Sequence, residues 1–385
     1  MIKSYKIMLL PNNKQKSKLF GIAGATRFAY NWTIAKEKEI YNNGGKFINQ
    51  FDLRKEFTKL KNQEDFNWLY QYSNDALKQS IKDACIAFDN FFKGLSDYPK
   101  FKSKHKTSPS FYCDPFKIEF TDTHIKLEKI SNSTKKNRAK LNWIRLAEHG
   151  RIPVNVKYYN PRITFDGLNW WISVGVEDEI KKDTKEYSEG IGIDFGIKDL
   201  LICSDGNKYF NINKSKKVKL LEKRKKRLQR SISRKYQKNK EGEKFLKTNN
   251  IKKLEKKTLK INRRLTNIRT NHLYLCINDI INRKPRFINI EDLNVNGMLK
   301  NHKLAKAISE VSFNKLRNIL TYKCKRNDIE LRIIDRWYPS SKTCSNCGSI
   351  KKDLKLKERI YVCECCGLAI DRDYNASINI LKYKF

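Results

Sequence analysis

Apolar and polar positions along this chain follow two rhythms, and the rhythm changes several times. Tyr5 to Leu10 reads as a short strand closed by Pro11-Asn12-Asn13, a helix-entry signal. From about residue 14 to 95 apolar positions return at helical spacing: Phe20, Phe28 and Trp32, then Leu77, Ile81, Cys85, Phe88 and Phe92. Lys78, Gln79 and Lys82 fall off that face, as either a solvated helix surface or a contact to nucleic acid. From about 105 to 180 the period drops to two. Phe116 to Phe120 and His124 to Glu128 alternate as half-buried strands do, and Asp166-Gly167 sits as a hairpin turn between Arg162–Phe165 and Trp170–Val176. Short strands at this spacing predict a small barrel. If Tyr5 to Leu10 joins it, the helical stretch is an insertion into that barrel.

The second half opens on Gly190-Ile-Gly-Ile-Asp194-Phe-Gly196, an apolar strand ending in a carboxylate, followed by a strand and hairpin over Leu200 to Phe210. Ile251, Leu254, Ile261, Leu265, Ile268 and Leu275 fit a heptad seam, with Thr258 and His272 in the remaining places. Val218, Leu221, Leu228 and Ile232 repeat it earlier. Glu241-Gly242 and Thr248-Asn249-Asn250 separate the two runs, so two long antiparallel helices are expected. Phe287 to Asp292 is a further buried strand ending in carboxylates. Asp371 to Ile380 starts a helix, with Asp373 placed to cap it and Ile378 and Leu381 on its apolar face.

Charge sharpens this picture. The 82 Lys and Arg outnumber the 41 Asp and Glu, for a formal net charge of +41. That excess excludes an ordinary small-molecule enzyme as the default and points to a polyanion such as a nucleic acid. Residues 214–269 hold 24 basic and 4 acidic residues, a net of +20. Four acids cannot neutralise so many bases within a coiled coil, so the helical hairpin is expected to face a polyanion. At 39% hydrophobic and 11% aromatic residues the chain can still bury a core. Its 385 residues suggest two or three domains at roughly 150 residues each. No apolar run approaches the ~20 residues that span a bilayer, and a signal-peptide pattern is lacking. Cys85, Cys113, Cys203, Cys276 and Cys324 are scattered singly, as buried thiols are, so a reducing, cytoplasmic location is expected.

Cys344-Ser-Asn-Cys347 and Cys363-Glu-Cys-Cys366 form a C-x2-C pair of pairs with the spacing of a zinc ribbon. Gly348 and Gly367 follow each pair, where a knuckle needs a permissive backbone. Four thiolates close a tetrahedron, so this Zn2+ site is structural; Cys365 is an extra thiol that could compete as a ligand, although Cys363 with Cys365 would be a cramped pair. Asp194, Glu291 with Asp292, and Asp371 or Asp373 come in the order strand–Asp, strand–Glu, helix–Asp. That order is expected of a ribonuclease H-like fold, whose carboxylates hold two Mg2+ ions about 3.5–4 Å apart for in-line attack on a phosphodiester.

Gly192-Ile-Asp-Phe-Gly196, Ile290-Glu-Asp-Leu293, Leu304 to Ser309, Asp335 to Cys344 and Asp371-Arg-Asp-Tyr-Asn-Ala376 resemble the TnpB (OrfB) family of insertion-sequence proteins, as do Arg27 to Trp32 and Tyr98 to Ser103. The resemblance implies an RNA-guided DNA endonuclease related to the miniature type V CRISPR effectors. Implied partners are a transposon-end guide RNA (omega RNA) and target double-stranded DNA cut beside a short adjacent motif, with the protein acting as a monomer. The implied fold is α+β and multidomain: a wedge β-barrel (1–12 and 104–182) interrupted by a helical recognition domain (13–103), then a RuvC-like nuclease domain (183–339 and 369–385) holding the zinc ribbon (340–368). Residue by residue, Asp194, Glu291 and Asp373 match the catalytic, Mg2+-holding carboxylates, with Asp373 preferred to Asp371 because it precedes the x-Asn-Ala segment. Asp292 and Asp335 would be supporting residues. Ser377 departs from a common alanine. A nuclease-inactive RNA-guided binder, a protein-only transposase and a zinc-ribbon RNA-binding protein remain as other readings.

Overall fold

Strand β1 (Ile2–Leu10) comes first in the chain yet runs through the middle of a sheet. The computed structural model describes residues 2–130, 140–178, 188–355 and 358–385. It divides into two compact units, Met1–Glu179 and Ile180–Phe385. The domain boundary expected at 182/183 lies outside the described residues.

In the first unit seven antiparallel strands lie in the order β2 (Ser110–Tyr112), β6 (Tyr158–Phe165), β7 (Trp170–Glu177), β1, β5 (Trp143–Leu146), β4 (His124–Lys126), β3 (Glu119–Phe120). No ladder joins β2 to β3 among the described residues, so the strands form one sheet around a shared core. Ile7, Ile125, Ile144, Ile163 and Ile172 are fully buried there, one from each of five strands. The Asp166-Gly167 turn is as expected: Gly167 has φ +87°, and the Asp166 carboxylate accepts the amides of Leu168 and Asn169. Phe116 departs from the predicted alternation and is 89% exposed. Asp114 accepts its amide in a turn, and the strand starts only at Glu119.

Between β1 and β2 run α1 (Asn13–Asn42), α2 (Gln50–Lys61) and α3 (Asn74–Phe92), with a 3-10 turn at Glu64–Gln71. Asn12 and Gln15 cap α1 reciprocally, which is why the helix begins at Asn13. Leu77, Ile81 and Phe88 are buried along α3, and the stripe fades at Phe92, where the helix ends.

The second unit holds a five-stranded sheet in the order β10 (Lys208–Phe210), β9 (Asp199–Cys203), β8 (Ile191–Phe195), β13 (Phe287–Glu291), β14 (Glu330–Ile334). β8, β9 and β10 pair antiparallel, whereas β8, β13 and β14 run parallel. Helices α4 (Lys216–Lys238) and α5 (Asn249–Asn282) form the expected antiparallel pair, joined by the small ladder β11 (Lys240–Glu241) with β12 (Lys244–Phe245). Val218 and Leu221 meet Ile261 and Leu265 across it. Beyond Leu265 the heptad expectation slips by one residue. Leu275 is 59% exposed, while Leu273, Cys276, Ile277 and Ile280 are buried. A straight α-helix advances 3.6 residues per turn and drifts about 20° per heptad from a 3.5 seam, so its buried stripe rotates past the predicted positions. Helices α6 (Val295–Leu299), α7 (Ala305–Val311) and α8 (Phe313–Arg326) connect β13 to β14. The hairpin β15 (Ile360–Val362) with β16 (Ala369–Asp371) leads into α9 (Arg372–Lys382).

Candidate functional site

Asp194 and Glu291 sit at the ends of the adjacent parallel strands β8 and β13, where Ile193 registers with Ile290. Helix α9 crosses the same sheet face and carries Asp373 in its first turn. The crossing is close because Gly192 lacks a side chain: a Cβ there would lie 2.2 Å from the Ser377 carbonyl and 2.5 Å from the Leu381 nitrogen. Two residues from Glu291, the fully buried Asn289 donates from Nδ2 to the carbonyls of Ile380 and Leu381 at 3.0 and 3.1 Å. Gly192 and Asp194 share a strand face, as do Asn289 and Glu291. In each strand one residue, Gly192 or Asn289, therefore seats the helix, and the next on that face, Asp194 or Glu291, presents a carboxylate.

The helix cap corrects an expectation. Asp371, not Asp373, is the N-cap of α9, its Oδ1 accepting the amides of Asp373 and Tyr374 at 3.1 and 3.0 Å. Its other oxygen pairs with Lys208 at 3.5 Å. Asp373 is thereby free of capping duty and pairs with Arg359 at 3.6 Å. The α9 face also differs: Ala376 and Ile380 are buried, and Ile378 is half-buried.

Electrostatics ties the three acids together. Burial holds the Asp194 carboxyl well above the usual carboxylate range, and the charges of Glu291 and Asp373 push it further, with Arg372 opposing. Burial also raises Glu291, against a hydrogen bond from Ser340 that lowers it. Asp292 points elsewhere, shared between Arg317 and Arg336. A buried carboxyl raised further by two neighbouring carboxylates is an arrangement whose charge a cation would relieve. Their oxygens are not drawn tightly together: among the described residues only the four cysteines bring ligand atoms within 4.8 Å of one another.

Those cysteines are the expected ones, Cys344, Cys347, Cys363 and Cys366. Two matching knuckles build the cluster. Gly348 donates its amide to the Cys344 carbonyl and Gly367 to that of Cys363, both at 3.0 Å, with φ of +78° and +72° at the two glycines. Sγ pairs lie at 3.5 Å (Cys347–Cys363) and 3.6 Å (Cys344–Cys366). Backbone amides, that of Cys366 foremost, pull the Cys363 thiol down to about 6, whereas burial pushes Cys344 up to about 11. Cys365 is exposed and outside the cluster.

Sequence reasoning missed the stitching between the cluster and the carboxylates. Asn379 Nδ2 donates to the carbonyls of Ser340 and Thr343, and Asn375 Nδ2 also donates to Thr343. Asn375 Oδ1 accepts the Ser345 amide, and Lys382 reaches the Ser345 carbonyl. The segment that carries Cys344 and Ser340 is thus sewn to the helix that carries Asp373. The only signal was three polar residues at helical spacing on one face of α9.

In the first unit Lys78, Gln79 and Lys82 lie along α3, off its buried stripe. Lys78 sits 4.0 Å from Asp75, and Gln79 donates to Asp83 at 2.9 Å. Asp83 in turn holds both ends of the Arg162 guanidinium at 2.7 and 2.9 Å.

Comparison with known proteins adds three matches to family profiles. Residues 172–302 match one described as "Probable transposase" (OrfB) and 313–380 match the TNB domain of Cas12f1-like proteins. Residues 1–46 match a "Helix-turn-helix domain", a stretch that here forms β1 and the single long helix α1. A Streptomyces pristinaespiralis protein named "Putative RNA-guided DNA endonuclease" is 30% identical over 98% of this chain and 88% of its own. An Escherichia coli K12 protein of the same description is 26% identical over 99% and 92%. Among solved structures, a Cas12f1 in complex with guide RNA and target DNA aligns over 99% of this chain and 98% of its own, with a TM-score of 0.62 at 13% identity. The fold is therefore Cas12f-like, mixed α/β with a four-cysteine cluster.

Proposed function

Because the chain belongs to the TnpB (OrfB) family, we propose that it is an RNA-guided DNA endonuclease that cuts phosphodiesters at Asp194, Glu291 and Asp373. The observation that carries this reading is the convergence of three carboxyls on one sheet face, with Asp194 raised by its two neighbours. The names of the two relatives and the likeness to a complex of Cas12f1 with RNA and DNA support it. The sheet order, three antiparallel strands followed by two parallel ones, supports a RuvC-like layout for 183–339 and 369–385. In the same reading 340–368 is the zinc ribbon, and the first sheet (1–12 and 104–182) is a wedge around a recognition domain at 13–103. Lys78, Gln79 and Lys82 would touch the nucleic acid. The basic arm α4–α5 would hold guide RNA and heteroduplex phosphates. Pairing with a transposon-end omega RNA would read the sequence, and the protein would read a short adjacent motif. A monomer is the expected state.

The donor sets suit two different metals. Carboxylate oxygens are hard ligands for Mg2+, and clustered thiolates select Zn2+. Bound Mg2+ would activate water and steady the leaving oxygen of the phosphodiester. The chain's own part is orientation. Ser340 takes one Glu291 oxygen and Arg359 one Asp373 oxygen, which leaves each acid a second oxygen for ligation. Asp194, raised by burial and by the charges of both neighbours, would gain most from a bound cation.

The test is plasmid cleavage by the protein purified with its RNA, on a guide-matched target, with and without Mg2+. Cutting that survives removal of the RNA would overturn guidance, and cutting unchanged in Asp194→Ala would overturn the carboxylate assignment. Tight target binding without cutting would support the nuclease-inactive reading instead.

A further inference from the structure

Trp337 is 85% exposed, on a loop that is otherwise firmly held. Its own amide donates to Asp335 Oδ1 at 2.6 Å. Just before it, Arg336 donates from Nε to the Asp292 carbonyl at 3.2 Å and pairs with the Asp292 carboxylate. Three residues after it, the Ser340 hydroxyl donates to Glu291. The loop therefore straddles the end of β13, fastened to two consecutive acids, with Trp337 between the fastenings. Tyr338 is packed edge-on against Tyr383 at 4.9 Å, so the neighbouring ring is used in packing while the indole is not. Among the described residues no aromatic or cationic partner faces the Trp337 ring.

An indole left in water on a rigid loop is a flat apolar face with nothing upon it. Beside it stand guanidiniums. Asp292 is shared by Arg317, at 3.0 Å, and Arg336, so two guanidiniums stand over one carboxylate, and their side chains stay 39% and 43% exposed. With Asp292 and the Asp335 carboxylate that takes the Trp337 amide, the two guanidiniums are balanced in formal charge, and what they offer beside the ring is exposed N–H donors. Flat face plus adjacent guanidinium donors matches a nucleotide: the base stacks on the indole and the phosphate meets the guanidinium. Such a base must be unpaired and unstacked, because inside a duplex both its faces are covered by neighbours.

We propose that Trp337, with Arg336 and Arg317, is a handle for an unpaired nucleotide of single-stranded DNA, held beside Glu291. The identity of that strand as the one being cut rests on the endonuclease reading above. The handle admits any base, since every base offers a π face, and it rejects intact duplex. Trp337 acts on the strand and not on the reacting bond, so the site binds an opened strand without regard to its sequence.

The experiment uses the full-length chain with its RNA, in an Asp194→Ala background that preserves the oligonucleotide. Intrinsic fluorescence of this protein minus that of its Trp337→Phe variant isolates the Trp337 signal during titration with oligo(dT) or with a blunt duplex of equal length. The expected result is at least a halving of that signal by oligo(dT) and little change by duplex. No quenching, or equal quenching by duplex, overturns the handle. A second arm measures single-turnover cleavage with Asp194 intact: Trp337→Ala slows cutting about tenfold, while Trp337→Phe stays within about twofold because a phenyl ring also stacks. Equal rates for the alanine variant and the wild type would likewise overturn it. If the wild type cuts nothing yet oligo(dT) quenches Trp337, the endonuclease reading fails and the handle stands.

Discussion

At the residue scale, Ser340 and Asp194 give the clearest consequences. Removing the Ser340 hydroxyl leaves Glu291 buried without its donor, so the carboxyl's proton affinity climbs further. Ser340→Ala is expected to slow cleavage roughly tenfold, the order of one hydrogen bond to a charged group. The rising limb of its pH–rate profile should move to higher pH, and Ser340→Thr should restore both. For Asp194 the folded carboxyl binds its proton more tightly than the unfolded one. Its contribution to stability is thus full in acid and is lost as pH rises from about 4 through the raised folded value. Asp194→Asn should gain on the wild type in thermal melts above that pH without Mg2+, by about 3 °C near neutrality, with the gap closing in acid. What the sequence concealed here was direction. Asp371 and Asp373 are two residues apart and equally good caps on paper, and only the path of β16 into α9 decides which carboxylate bonds the helix amides. Ser340 lies in the family-like stretch Asp335 to Cys344 but nothing there marked its role, and Asn289 carried no pattern, since one hydroxyl in a loop and one amide in an apolar strand look like ordinary turn and core residues until their partners arrive from distant chain.

At the element scale, α9 is held by what Gly192 omits as much as by what Asn289, Asn375 and Asn379 supply. Gly192→Ala would drive a methyl into helix backbone, which cannot yield as a flexible side chain would. We expect a loss of about 1–3 kcal/mol in unfolding of the second unit by denaturant. Cleavage should fall with it, because Asp373 rides on the displaced helix. Glycines flanking an apolar strand were visible from sequence, although the reason for this one needed the helix laid across it. The basic arm shows the opposite limit. Its helices and their antiparallel pairing were legible from apolar spacing, and the structure adds which residues meet, Val218 and Leu221 with Ile261 and Leu265. The register failed only where a 3.5-residue seam was carried past Leu265 along a 3.6-residue helix. Strand boundaries failed for a different reason: Asp114-Pro115 opened a turn that alternation at Phe116 had masked.

At the scale of the whole molecule, the net charge of +41 is spent unevenly, and the arm offers the test. Lys223, Arg224, Lys226, Arg227 and Arg230 are exposed along α4. If the arm holds nucleic-acid phosphates, changing all five to Gln should weaken RNA binding and flatten the slope of log affinity against log salt by about 4, while leaving the melting temperature nearly unchanged. A slope that does not move would place the phosphates elsewhere. Long-range order sets a last property of this protein, one of time and not of affinity. Asp194 and Asp373 are 179 positions apart, and α9 has no sheet to lie on until β8 and β13 exist. At about 5–20 residues per second of synthesis, roughly 10–35 seconds separate the first acid's emergence from the last. A nascent chain could already hold RNA on its basic arm during that interval while still lacking its third carboxylate. The blade would be armed only after the grip.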